Sequence, residues 1–493
     1  MTEFEAPASK ATGQPRGLYV LFGTEMSERF SYYGMRALLV LYLTEKLKFD
    51  RKDALALYAT YTGLVYLTPL LGGFLADKVL GQRKAILIGG IVMALGHFAM
   101  AFEAWLYFAM GLLILGNGFF KPNISTMVGN LYPEGDSRRD VAYTIFYMGI
   151  NLGAGISPLL CGILGEKVGW HYGFGAAGVG MVLSLIVFLA FQSDLVGGYP
   201  PGREDAGKGR LMIMDWVHVI LTSAICAGVV HLVLRYWEDI KPYQPYLFYL
   251  MGAVAILAIL NLLYHLIMAQ DKVERMEWNG IAVIVIVSLF SIVFWMGFEQ
   301  SGGTLNLFAR DKTDRMVGGQ EFPASFFQSV NPFLIVALAP LIALIWSKVD
   351  STRLRFTSSA KMGLGLIFLG LGFTVMYFAD KQATINGKVG PQWLASVFLL
   401  LTIGEICLSP IGLSLVNKLA PKRLASLMMA SWFLCTAIAN YLAGILEHLL
   451  EEFSKRNNVS INLWLFLIAT SIIPGLILMA LTIPLKKMSS GRL

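Results

Sequence analysis

Five charged side chains stand inside apolar stretches in the first half of the chain: Glu25, Glu28, Arg29, Arg36 and Lys121. Four of them share the run E-M-S-E-R-F-S-Y-Y-G-M-R. Placed on one α-helix, Glu25, Glu28, Arg29, Tyr32, Tyr33 and Arg36 fall within a sector of about 140°. Two acids, two guanidinium groups and two phenols then line a single face. A charge at the centre of a bilayer costs about 2.5–3.5 kcal/mol on insertion scales, so five dry, unpaired ones would cost on the order of 15 kcal/mol. They are tolerable only if they face one another across a wet cavity. An acid set between burial and a neighbouring cation is balanced between its charged and neutral forms, which suits it to loading and releasing a proton. An internal packing lock is the plainer alternative, but one ion pair suffices for that and this face carries four charges.

Lys121 lies in G-N-G-F-F-K-P-N, and the same apolar segment continues beyond it, which argues against a lysine snorkelling from a helix end. Pro122 cannot bond to the carbonyl of Gly118, so a kink is expected there, and Gly116 and Gly118 permit close helix contact. The second half contributes acids without bases: Glu299 in F-W-M-G-F-E-Q-S-G-G and Glu405 in T-I-G-E-I-C-L-S-P. The expected result is a cavity with a cationic wall from the first half and an anionic wall from the second. A zwitterion with separated ends fits that field, its carboxylate toward Arg29, Arg36 and Lys121 and its ammonium toward Glu405 or Glu299. Asn151 and Asn331 add polar contacts. Pro332 frees the carbonyl of Gln328, so a broken helix lining the cavity is expected at that point. Tyr66, Trp295 and Trp432 can form a side-chain pocket, although each taken singly fits packing or an interface anchor.

The elements that hold these residues follow from composition. The chain is 56% hydrophobic and 14% charged, with a mean hydropathy of +0.63, whereas soluble domains carry about a quarter charged residues. The apolar residues come in long blocks, so the class is an all-α polytopic membrane protein, and the alternating pattern of an outer-membrane barrel is missing. About 14 segments are long enough to span a bilayer: 18–43, 54–79, 85–102, 105–131, 141–168, 172–191, 211–236, 246–268, 280–308, 322–346, 362–378, 393–419, 424–449 and 463–485. The Gly- and charge-rich stretch 193–210 reads as a cytoplasmic linker. It separates a six-helix bundle over 18–192 from an inserted two-helix hairpin over 211–270 and a second six-helix bundle over 271–488. Residues 1–17 and 489–493 form cytoplasmic ends.

Orientation follows from loop Lys and Arg residues: Lys78, Arg83 and Lys84, Arg138 and Arg139, Arg353, Arg355 and Lys361, and Lys422 and Arg423. They place both termini in the cytoplasm, and they account for the net charge of +7 without nucleic acid, for which no binding motif exists. The tip carrying Lys46, Lys48, Arg51 and Lys52 runs against the rule. Cys161, Cys226, Cys407 and Cys435 lie far apart in apolar segments and read as small core residues, neither disulfides nor metal ligands. The first sixteen residues lack the order of a cleaved signal, so the first spanning helix is expected to target the chain.

Residues 25–36, E-x-x-E-R-F-x-Y-Y-G-M-R, resemble the first-helix signature of the proton-dependent oligopeptide transporter (POT, or PTR) family. F-Y-x-x-I-N-x-G at 146–153 is similar to that family's fifth-helix signature, and residues 72–84 resemble the loop motif of the major facilitator superfamily. G-x-G-x-x-K-P-N at 116–123, F-Q-S-x-N-P at 327–332 and the Trp295…Glu299 pair also fit, so the matches span both halves. The resemblance implies the major facilitator fold with the two extra helices of bacterial members. It also implies uptake of di- and tripeptides driven by a proton gradient across the bacterial inner membrane, with no cofactor. Carried over by residue, Glu25, Glu28 and Arg29 would couple to protons, with Glu299 a coupling or gating acid. Arg29, Tyr33, Arg36 and Lys121 would hold the peptide carboxylate. Asn151, Asn331 and Glu405 would hold its amino terminus, while Tyr32, Tyr66, Trp295 and Trp432 would line side-chain pockets. Ala154 and Asn117 replace the hydroxyl residues common at their positions, changes of similar size.

The expected partners are small peptides, protons and the lipid bilayer, with the protein a monomer. Three other readings compete. A relative moving nitrate or another small anion has no use for Glu405, since nitrate lacks an ammonium end. A drug-exporting facilitator is less suited to Glu25 beside Arg29 than to a bare acid. A membrane enzyme would need a Ser/Lys dyad, a G-x-S-x-G or a metal-ligand cluster, and none stands out.

Overall fold

A computed structural model describes residues 13–133, 136, 138–199, 220, 221, 228, 232, 236, 275–352, 356–421 and 425–489. Among them the chain divides into two compact units, one within Met1–Leu38 and Leu67–Arg235, the other within Leu39–Tyr66 and Tyr236–Leu493. The helices are α1 (Arg16–Glu45), α2 (Arg51–Leu67), α3 (Pro69–Leu75), α4 (Gln82–Ala99), α5 (Leu106–Asn130), α6 (Arg138–Gly162) and α7 (Trp170–Ala190). After the linker come α8 (Arg275–Phe298), α9 (Thr304–Asp311), α10 (Val330–Asp350), α11 (Ser358–Asn386), α12 (Gln392–Leu419), α13 (Ala425–Asn457), α14 (Leu463–Ala480) and α15 (Thr482–Met488). Twelve of the segments expected from hydropathy coincide with these helices, α2 with α3 and α8 with α9 each forming one segment. The expected inserted pair, 211–236 and 246–268, lies almost wholly outside the described residues, as do residues 1–12, most of the linker, Arg353, Arg355, Lys422, Arg423 and Cys226. Nine helical spans among the described residues are long and apolar enough to cross a membrane.

In the first unit, glycines let helices touch. A Cβ on Gly72 of α3 would collide with the carbonyl of Gly118 in α5, and one on Gly89 of α4 would come within 2.6 Å of the Gly116 carbonyl. Thr68, between α2 and α3, donates its hydroxyl to the Ile114 carbonyl at 2.7 Å. Pro69 starts α3, where its missing N–H is harmless. Helix α5 runs unbroken through Pro122, and the Gly118 carbonyl that the proline leaves unbonded is the group α3 packs against. Arg83, in the loop motif after α3, donates to the carbonyls of Gly197 at 2.7 Å, Gln192 at 3.1 Å and Leu195 at 2.5 Å. Its guanidinium lies 4.6 Å from the Tyr199 ring centre, so this arginine anchors the exit of α7.

In the second unit, α2 packs on α13: a Cβ on Gly444 would strike Ala59. The helices α11 and α13 run farther than hydropathy indicates, and ion pairs explain why. Asp380, in the extension of α11, accepts from Lys312 at 2.7 Å. In α13, Glu447 binds Arg51 through two bonds at 3.0 and 3.1 Å, and Glu451, in the extension, pairs with Lys52. Those pairs also account for two of the basic residues that violate the positive-inside pattern, since Arg51 and Lys52 carry their own counter-ions.

One expectation about a helix break is corrected. Pro332 does not break a helix: a 3-10 segment Ala324–Ser329 leads directly into α10, and Pro332 falls in the first α-helical turn, where its absent N–H breaks no ladder bond. The real break lies between α8 and α9, where a 3-10 turn Glu299–Ser301 is followed by Gly302 and Gly303. The all-α reading also omits a two-residue hairpin, Met316–Val317 with Gln320–Glu321, whose turn uses Gly318 and Gly319 at φ +58° and +81°.

Candidate functional site

Helix α1 carries the predicted polar face, and the first unit folds it into a charge-balanced cluster. Glu25 and Glu28 are fully buried, and Arg29 nearly so. Glu25 Oε1 forms an ion pair with Arg29 Nε at 3.2 Å and accepts from Lys121 Nζ on α5. Glu28 accepts from Arg29 Nε and, at its other oxygen, from Arg29 Nη2 at 2.8 Å. Arg29 is therefore a fork between two acids, and Lys121 closes the set at two negative and two positive charges. The guanidinium also stands 5.1 Å from the Tyr32 ring centre and 5.9 Å from that of Tyr33, while Arg36 lies 5.7 Å from Tyr33. Tyr32 and Tyr33 meet edge to face at 5.2 Å. The six residues placed on one face by spacing are thus brought together, with Lys121 added from a second helix.

Helix α6 comes close behind this cluster because Gly153 lacks a side chain: a Cβ there would run into the Met26 carbonyl and come within 3.1 Å of Arg29 Cβ. Two positions earlier, Asn151 is buried and donates to the Tyr147 carbonyl of its own helix at 2.9 Å. The I-N-x-G signature thus combines a contact glycine with a polar side chain on the neighbouring turn.

The second unit holds the remaining candidates. Asn331, at the start of α10, donates from Nδ2 to Glu405 Oε2 at 2.8 Å and to Thr402 Oγ1 at 3.0 Å. Glu405 is 8% exposed and Glu299 is 5% exposed. Trp295 packs edge-on against Phe294 and Phe298, with ring centres 5.4 and 5.3 Å apart. Trp432 is buried against Gly412, where a Cβ would touch its ring. Tyr66 sits half-buried near the end of α2. Sequence reasoning missed Thr402, whose place three residues before Glu405 puts it on the same helical face, and Arg83, for which the loop motif was the signal. Among the described residues no group of His, Cys, Asp or Glu can hold a metal ion.

Chemically, the first-unit cluster is a store of paired charge. Neutralising Glu25 releases Lys121, and neutralising Glu28 releases most of the grip on Arg29. A buried cation so released seeks another anion.

The sequence profile of the POT family (PTR2) matches residues 83–463. The chain belongs to the POT family. Its POT relatives include the peptide transporter YePEPT of Yersinia enterocolitica subsp. palearctica, 38% identical over 88% of each chain. They also include a di-/tripeptide transporter of Lactococcus lactis subsp. lactis, 33% identical over 97% of each. A crystal structure of a peptide transporter POT variant in complex with alafosfalin superposes with a TM-score of 0.80 at 34% identity, covering 98% of this chain and 97% of that one. The fold is accordingly the major facilitator fold of POT transporters, and the protein is a multi-pass membrane protein.

Proposed function

We propose that this protein is a secondary active transporter that carries di- and tripeptides together with protons by alternating access. It works as a monomer without a cofactor, in a bacterial cytoplasmic membrane with both termini inside. The observation that carries this reading is the four-charge cluster Glu25, Glu28, Arg29 and Lys121 inside the first unit, whose pairs protonation of an acid would open. Relatives described as peptide and di-/tripeptide transporters support the substrate class.

In this reading Glu25, Glu28 and Arg29 couple transport to protons, and Glu299 acts with them. Protonation of either first-unit acid frees Arg29 or Lys121, which with Tyr33 and Arg36 receives the peptide carboxylate. Glu405, steadied by Asn331, receives the ammonium together with Asn151, and Tyr32, Tyr66, Trp295 and Trp432 receive side chains. Proton loss restores the internal pairs and expels the carboxylate. The membrane potential contributes about 2.3 kcal/mol per charge per 100 mV, with the pH gradient in addition. An anion alone would leave Glu405 without a role.

The test is dipeptide uptake into proteoliposomes under an imposed proton gradient. Glu25→Gln and Glu28→Gln are expected to lose accumulation against the peptide gradient. Full accumulation by both variants removes the coupling assignment, and inhibition by nitrate in place of dialanine removes the substrate assignment.

A further inference from the structure

The break between α8 and α9 places Gln300 directly after Glu299, and Gln300 is 2% exposed. Its Nε2 donates to the Ala443 carbonyl of α13 at 2.8 Å, which fixes the amide so that Oε1 accepts from Thr304 Oγ1 at 2.7 Å. The same Thr304 hydroxyl stands 3.1 Å from Glu447 Oε1, and Glu447 is held by Arg51 of α2. One polar chain therefore runs from Arg51 through Glu447 and Thr304 to Gln300 and the turn that begins with Glu299. Thr304 also lines two cavities. One, of about 480 Å³, is charged and includes Arg51, Asp311, Lys312 and Asp380. The other is small, and its walls include Glu299, Tyr58 and Asn440.

A threonine hydroxyl carries one proton and here faces two acceptors. While Arg51 holds Glu447, the carboxylate has its donors and the hydroxyl proton serves Gln300. When Arg51 withdraws, the carboxylate becomes the stronger acceptor and the hydroxyl turns its hydrogen bond from Gln300 to Glu447, because charge-assisted hydrogen bonds outweigh neutral ones. The other charged groups around Glu447 have partners of their own: Lys52 with Glu451, Lys312 with Asp380, and Asp311 with Arg310.

We propose that Thr304 and Gln300 are positioning residues that tie the Arg51–Glu447 ion pair to the exposure of Glu299. With the pair closed, the Thr304 hydroxyl braces the Gln300 amide, and this strap holds the turn at 299–303 in the form that separates Glu299 from the charged cavity. With the pair open, the turn loosens and Glu299 meets the water of that cavity. The inference rests on the proton-coupled transport reading, in which Glu299 exchanges protons.

The test compares wild type, Thr304→Val, Thr304→Ser, Glu447→Gln and the Thr304→Val/Glu447→Gln double variant in liposomes. Dipeptide counterflow needs no net proton movement, whereas uphill uptake does. Thr304→Val is expected to keep counterflow but to lose about tenfold in uphill uptake, the worth of one hydrogen bond, with an altered pH profile. Thr304→Ser restores both, and Thr304→Val adds nothing once Glu447 is Gln. Hydrogen–deuterium exchange at 299–304 in the purified protein provides a readout independent of transport, faster in Thr304→Val than in wild type. Wild-type exchange and pH profile in Thr304→Val, or no rescue by serine, overturns the strap. A wild type that neither exchanges nor accumulates dipeptide overturns the transport reading instead, and the deuterium measurement still decides the strap.

Discussion

The two units bury carboxylates by different chemistry. In the first, Glu25 and Glu28 lie against cations, and four formal charges cancel within two helices. In the second, Glu405 is held by the Asn331 amide, a neutral donor. Protonating a cation-paired acid removes a full charge–charge attraction and releases the partner. Protonating an amide-held acid costs less, because a carboxylic acid and an amide can exchange donor and acceptor roles. In the proposed transport cycle the first unit would convert a proton into a freed cation, and the second would keep an acid ready for a cation that arrives from outside the protein.

Removing Lys121 tests that contrast most severely. Lys121→Ala leaves Arg29 alone against two buried acids. Breaking a buried pair costs about 3–5 kcal/mol when both partners are dry. The Lys121 side chain is 29% exposed, which moves the expected cost to the lower part of that range. Uphill peptide uptake should be abolished and the thermal unfolding midpoint should fall. Adding Glu25→Gln should recover the midpoint but not the uptake, because the double variant is balanced again and still lacks the switch. An unchanged midpoint in the single variant contradicts the cluster's role in holding the first unit together.

A milder result is expected from the second unit. Asn331→Leu removes a neutral donor, and the unsatisfied acceptor costs about 1–3 kcal/mol. Uptake should slow about tenfold, chiefly through a higher KM for peptide, and not disappear. Asn331→Asp should do more harm than Asn331→Leu, since it sets a second carboxyl beside Glu405. Initial uptake rates across peptide concentrations separate the two variants. If Asn331→Leu is as damaging as Lys121→Ala, the two units do not differ in the way their chemistry indicates.

The first-unit cluster was legible in the sequence because charge inside an apolar run is conspicuous, and because 3.6-residue spacing places Glu25, Glu28 and Arg29 on one face. Twelve helices were legible for the same reason of contrast. What escaped notice depends on distant partners. Nothing near Glu451 in sequence indicates that Lys52 neutralises it, so hydropathy ended the helix at 449 and left the basic tip at 46–52 unexplained. Pro332 was given too much weight, since it sits in a first turn. The Gly302–Gly303 pair received too little, although adjacent glycines beside a polar triplet are a common signature of an interrupted helix.

An ion pair in the first unit that lies outside the membrane spans, its side chains 30% and 14% exposed, separates charge from membrane burial as the cause. Asp136 accepts from the Arg138 backbone N–H at 2.9 Å and from its Nη2 at 2.7 Å, just outside the membrane span that α6 begins. Arg138 also donates to the Gly13 carbonyl at 3.0 Å. The hydrogen bonds from Arg138 hold the Asp136 carboxyl below its ordinary range. A lowered carboxyl pKa stabilises the folded state at neutral pH. That contribution is present above the unfolded value, near 3.8, and is lost as pH falls through the lower folded value. Solvent and salt screen the pair, so Asp136→Asn should barely move the unfolding midpoint at pH 7, should leave peptide uptake unchanged, and should show no difference from wild type in strong acid. Thermal unfolding of both proteins across pH and salt measures this. A loss from Asp136→Asn that rivals Lys121→Ala would make pairing itself, wherever it occurs, the quantity that matters. A negligible loss leaves exclusion from water as the reason that the four charges on α1 and α5 depend on their pairing.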